Sequence, residues 1–218
     1  MGKYRIFSIA LIAAAVIAAV VAYPYLPAKS ATHWNAMDEP DGFAGREMAA
    51  FALPVVMLVL FAVFLVLPQI DPFRANYRLH EKEYDGFIVV LMAFMLYIQL
   101  AMLAYNVGIG FGMGQAVILG IAGLFYYIGT IMPRIRRNFF FGIRTPWTIV
   151  SDRVWKKTHE LGGFTFKLNA AIMLLALLLP KYFIVVVLFP ILLNMLGLVV
   201  YSYLEFKKTV KNKPWLNK

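Results

Sequence analysis

Long stretches without a single charged side chain decide what this chain can fold into. Residues 6–22, 48–67, 87–105 and 115–132 are apolar runs free of Asp, Glu, Lys and Arg, and residues 168–204 carry Lys181 as their lone charge. Runs of about 20 such residues match the ~30 Å hydrocarbon core of a bilayer when helical. The last region would measure roughly 55 Å as one helix, so it must break. Pro180-Lys181 is the expected break, because proline removes a backbone donor and the lysine needs water. The reading is an all-α, polytopic integral membrane protein, a bundle of six transmembrane helices with the fifth from about Phe164 and the sixth over 182–203. Residues 18–22 resemble a weak cleavage site, but 23–26 extend the first run toward spanning length and favour a retained helix.

Composition agrees. Of 218 residues 62% are hydrophobic and 15% charged, more apolar surface than a soluble domain of this size can hide. Without cysteine, disulfides, thiolate metal sites and cysteine nucleophiles are excluded. The net charge of +10 would suggest nucleic acid in a soluble protein, but in a membrane protein it marks topology. Lys3 and Arg5, then Arg74, Arg78 and Lys82, then the cluster from Arg134 to Lys167, then the tail from Lys207 to Lys218 all fall on one side of a six-span arrangement. Lys29, Arg46 and Lys181 are left for the other. The rich side is therefore read as cytoplasmic, with both termini there and no direct contact with nucleic acid.

Two polar segments are richer than plain connections require. One, on the outer face, carries His33, Trp34 and Asn35, followed by Glu39-Pro40-Asp41-Gly42. Neither an HExxH motif nor a second nearby histidine supports zinc, so the expectation is a loop folded onto the membrane surface. The other is the basic cytoplasmic loop 133–163, with Asn138, Gly142, Arg144, Thr145, Pro146, Trp147, Trp155 and His159. Ser151 or Thr148 can cap a short helix there, Asp152 can pair with Lys156, and Gly162-Gly163 can end it. With Val154, Trp155, Thr158 and Leu161 on one face, it reads as an amphipathic helix in the interface, its tryptophan at headgroup depth. A second interfacial stretch is expected over 76–82. The tail 205–218 is expected to be frayed or bound to headgroups. Within the spans the deepest strongly polar side chains are Gln99 and Asn194, for which hydrogen bonding between helices is the default.

At these two segments the sequence resembles the SdpI family of bacterial membrane immunity proteins. The resemblance rests on Ile128-Gly129, Met132-Pro133, Arg136, Asn138 and the run from Phe141 to Thr148. It continues through Trp155, Thr158-His159 and Gly162-Gly163. The stretch from Pro27 through His33-Trp34-Asn35 to Pro40-Asp41-Gly42 resembles the small domain of unknown function that often precedes it, although Glu39 stands where the family carries glycine. Two units are thus expected, residues 1–67 with the outer loop and residues 68–218 as a four-helix unit with the basic loop.

The resemblance implies protection of a cell from a secreted antimicrobial peptide that acts on its membrane. It also implies signalling, in which a cytoplasmic transcriptional repressor is held at the membrane. On that footing the protein is no enzyme and needs no cofactor or metal. Its partners are the lipid bilayer, the peptide and the repressor. The peptide would meet His33, Trp34, Asn35 and Asp41, and the regulator or anionic lipid would meet the cytoplasmic loop. A small membrane transporter or a lipid-active membrane enzyme is the alternative, and it requires a wet intramembrane cavity at Gln99 or Asn194.

Overall fold

The computed structural model describes residues 2–179 and 183–211. The expected break at Pro180-Lys181, and the tail beyond residue 211, lie outside the described residues. The chain runs through α1 (Gly2–Ala22), β1 (Lys29–Trp34), β2 (Pro40–Gly45), α2 (Arg46–Ile70), α3 (Arg74–Tyr77) and α4 (Glu81–Asn106). It continues through α5 (Met113–Ile131), α6 (Pro146–Val150), α7 (Asp152–Ala176) and α8 (Phe183–Lys211). The all-α reading holds, with one two-stranded hairpin added on the face opposite the basic loop.

Among the described residues five helices are long and apolar enough to cross a membrane: α1 with the turn after it, α2, α4, α5 with the turn after it, and α8 from Val185. The remaining long helix, α7, is too polar in its first half to qualify, so the expected six crossings rest on α7 alone. It nevertheless starts beside the basic loop and ends where Ala176 and Leu177 share a small cleft with Met37 and Asp38 at the hairpin turn.

The course of α7 corrects three expectations. Gly162-Gly163 does not end a helix; both glycines are buried mid-helix. A Cβ on Gly163 would lie 2.7 Å from Pro133 Cγ and 2.9 Å from the Gly129 carbonyl oxygen, and one on Gly129 would meet the Gly163 carbonyl at 2.8 Å. The glycines are there for close approach of α5 and α7, the small-residue contact by which helices associate in lipid. The amphipathic helix does not lie in the interface either. It is the first half of α7, and Val154, Trp155 and Thr158 face the interior. Asp152 pairs with Arg137 at 2.9 Å, not with Lys156, which pairs with Glu160 at 3.9 Å. Across the basic side, the stretch 76–82 holds only the single turn α3 and the start of α4. The tail is helical as far as Lys211, and buried Glu205 is paired with Lys208 at 2.7 Å.

One part of the core joins α1, α2 and α4 around Ile12, Ala15, Met57, Ile88 and Met92. Ala15 and Ala19 are fully buried, small side chains that let α1 pack closely on its neighbours. Gln99 of α4 is buried there and its amide donates to the carbonyls of Ala15 (3.0 Å) and Ala50 (3.2 Å), tying three helices at one point. The other part joins α5, α7 and α8 around Ile118, Ala122, Met173 and Ala176.

Candidate functional site

The segment read as an outer loop is an antiparallel hairpin, with Lys29 opposite Gly45 and Trp34 opposite Pro40. The turn explains why it forms. Asn35 Oδ1 accepts from the amides of Met37 (2.8 Å) and Glu39 (3.1 Å), an Asx turn. Asp38 takes the left-handed conformation at φ 63°, which aspartate tolerates. Irregular pairing between Ala31 and Trp34 sets His33 against Gly42, where any Cβ would come within 2.7 Å of His33 Cβ.

Three contacts lock the hairpin to the helices. The Asn106 side chain at the end of α4 accepts from the Ala31 amide (2.7 Å) and donates to the Ala31 carbonyl (2.9 Å), as a third strand would. Asp38 Oδ1 accepts the Gly114 amide at 2.7 Å and so satisfies a free donor in the first turn of α5. Trp34 meets the Tyr105 ring edge-on, with centroids 5.1 Å apart.

Beneath this clamp lies an apolar cleft of about 610 Å³, reaching from the hairpin down between α2, α4, α5 and α8. Met48, Leu53, Met102, Val117 and Leu188 supply its walls, and Thr32, His33, Trp34 and Asn35 its rim. The Trp34 indole N–H is shielded from solvent without an acceptor, an unmet donor at the edge of an otherwise apolar space. His33 Nδ1 bonds Asp41 Oδ1 at 2.5 Å, with the two side chains 71% and 45% exposed. His33, Trp34 and Asn35 therefore line the cleft, while Asp41 bonds His33 and does not itself line it. The walls were not singled out from the sequence, because apolar residues in a span look alike whether they face a neighbour, lipid or a cleft. Among the described residues no group of His, Asp and Glu could hold a metal ion.

On the opposite face the predicted loop residues mostly bond to one another. Asn138 is fully buried; its Nδ2 donates to the carbonyls of Arg136 (2.8 Å) and Phe141 (2.9 Å), and its Oδ1 accepts from the Phe141 amide (2.6 Å). Asp71, which sequence reasoning passed over, closes α2 and accepts from the amides of Phe73 (2.7 Å) and Phe139 (2.8 Å). Thr145 and Thr148 form a reciprocal capping box, with Pro146 at the first position of α6. Thr145 also meets Ser202 of α8 at 3.0 Å.

His159 Nε2 accepts the Ile143 amide (3.0 Å), and its other ring nitrogen reaches the Trp155 carbonyl (2.8 Å), so the neutral form with the proton on Nδ1 satisfies both. Burial pushes its pKa down to about 4. Trp155 stacks on His159 and donates from Nε1 to the Ile135 carbonyl (2.8 Å). Gly142 sits at φ 109° against that imidazole, where a Cβ would collide with His159 Nε2. Arg144 and Trp147 reach outward. The first donates to the Phe139 carbonyl at 2.9 Å from an exposed side chain; the second packs on Tyr203. Deep in the bundle, Gln99 lines none of the clefts described here. Asn194 lines an apolar groove between α7 and α8.

Fold and sites together define a multi-pass membrane protein with a hairpin clamped over an apolar cleft on one face and a self-bonded basic loop on the other. Residues 134–202 match the model of the SdpI/YfhL protein family, and residues 10–58 match a domain of unknown function, DUF1648. The chain is 26% identical to the immunity protein SdpI of Bacillus subtilis (strain 168), across 94% of this chain and 97% of that protein. No solved structure matches it significantly. The chain is thus similar to the SdpI family over its carboxy-terminal part and to DUF1648 over its amino-terminal part.

Proposed function

We propose that this protein is a membrane immunity protein that protects its cell from a secreted, membrane-active antimicrobial peptide, and that the peptide is engaged at the cleft beneath the hairpin. The observation that carries the reading is the pairing of an apolar cavity of about 610 Å³ with a polar rim of Thr32, His33, Trp34 and Asn35. An amphipathic peptide meets such a site with its apolar side in the cleft, leaving the unpaired indole N–H of Trp34 to take a backbone carbonyl. The curated relative supports the immunity half, since its name states that role for itself.

The second half of the reading follows the family resemblance: a cytoplasmic transcriptional repressor is held at the basic face. There Arg136, Arg144, Lys156 and Lys157 are exposed while the residues beneath them are fixed by internal bonds. Binding, not catalysis, is the function. The test is expression in sensitive cells followed by peptide challenge. Survival supports the reading; unchanged killing by every cognate peptide contradicts it.

A further inference from the structure

A second cleft, of about 620 Å³, opens at the basic edge, where α3 and the ends of α1, α2 and α4 meet. It has an apolar side and a charged side. Phe64, Leu65, Pro68 and Ile88 form the first, at the level where α2 ends and α4 begins. Arg5, Arg74 and Arg78 bring three guanidinium groups to the second, and Glu81 and Asp85 bring carboxylates.

Asp85 is 9% exposed, and its Oδ2 is fully shielded with no hydrogen-bond partner. Arg5 Nε is likewise shielded and unpartnered. Among the described residues no ion pair joins Asp85 to any of the three arginines. The neighbouring hydroxyls are committed elsewhere, Tyr84 to the Phe64 carbonyl (2.8 Å) and Tyr77 to Asp71 (3.2 Å). A buried carboxylate oxygen without a donor is costly, and a donor brought by a ligand would offset that cost.

The occupant that fits carries an anion for the arginines, a cationic N–H donor for Asp85 and an apolar portion for the wall. We propose that this cleft holds the headgroup of a phosphatidylethanolamine, its phosphodiester among Arg5, Arg74 and Arg78 and its ammonium on Asp85. Charge complementarity separates it from the glycerol and choline phospholipids. A glycerol headgroup offers Asp85 no charge, and a choline headgroup has no N–H to give. The proposal is independent of the immunity reading.

The full chain, purified and stripped of lipid, is given equimolar phosphatidylethanolamine and phosphatidylglycerol, and retained lipid is read by native mass spectrometry. Retention of the ethanolamine lipid is expected to exceed that of the glycerol lipid by about tenfold, the scale of one charge-assisted bond. Asp85→Asn is expected to abolish the preference, and Arg74→Gln with Arg78→Gln to lower retention of both lipids. Phosphatidylcholine, tested on the unaltered chain, is expected to be retained as poorly as the glycerol lipid, which keeps the test valid should a variant fail to fold. Equal retention of either competitor, or a preference that survives Asp85→Asn, overturns the proposal. So does displacement by millimolar inorganic phosphate or glycerophosphoethanolamine, which would make this a site for a soluble phosphate.

Discussion

The side chain of Asn106 exchanges both hydrogen bonds with the backbone of Ala31, at 2.7 and 2.9 Å, so the last residue of a spanning helix holds the first strand of the hairpin. An isolated two-stranded hairpin is marginal in water. Here the helix end supplies what a third strand would, and the rim of the cleft keeps a fixed position over its walls.

Replacing Asn106 by leucine removes both bonds and strands the amide of buried Ala31. A loss of about 2 kcal/mol in local stability is expected. Hydrogen exchange at Ala31 and at neighbouring hairpin amides measures it. Unchanged protection there would mean that the clamp lies elsewhere.

The buried imidazole of His159 sets a pH dependence. Its folded pKa of about 4 lies below the ordinary value of 6.5, so between these pH values the unfolded chain binds the proton and the folded protein does not. The stabilisation is present in full above about 6.5 and declines as the pH falls toward 4, by about 3 kcal/mol in all. Buried His80 is shifted the same way by desolvation and adds to the slope. Thermal unfolding of His159→Gln across this range is expected to show a shallower slope than the unaltered protein.

The α5 to α7 contact depends on the absence of side chains. Gly163→Ala places a methyl group against Pro133 and the Gly129 carbonyl and is expected to destabilise by roughly 1 to 3 kcal/mol. Gly197→Ala, in α8 with nothing within 4 Å of the added carbon, is expected to be neutral or slightly stabilising. Unfolding midpoints in detergent distinguish the two.

Gln99 links α1, α2 and α4 through two backbone carbonyls. Gln99→Leu is expected to lower stability by about 1 kcal/mol, the usual scale of a polar contact between helices in lipid. Peptide resistance is expected to be unaltered. A selective loss of function in a well-folded Gln99→Leu protein would favour a transport pathway instead.

Hydropathy and the one-sided basic residues made the helical membrane fold legible, because lipid imposes rules on composition that hold residue by residue. The hairpin was hidden. Its pairing depends on Asn35 and Asp38 in the turn and on Asn106 from far along the chain, and none of these advertises a strand locally. Gly162-Gly163 misled for a related reason. Glycine ends helices in water, whereas between packed helices it admits a neighbour, and only the position of Gly129 and Pro133 decides between these. In the basic loop, Asn138 and His159 use their polar atoms on the loop's own backbone, which their residue types alone do not show.

The central claim is that the cleft beneath the hairpin receives the peptide, and filling the cleft tests it most directly. Ala52 and Val117 line it and take no part in the Asn106 clamp, and tryptophan at either position would fill its volume. Survival of sensitive cells under peptide challenge is measured for the unaltered protein, Ala52→Trp and Val117→Trp at matched membrane levels. The account predicts resistance with the unaltered protein and its loss in both variants. Full resistance with the cleft filled would contradict it.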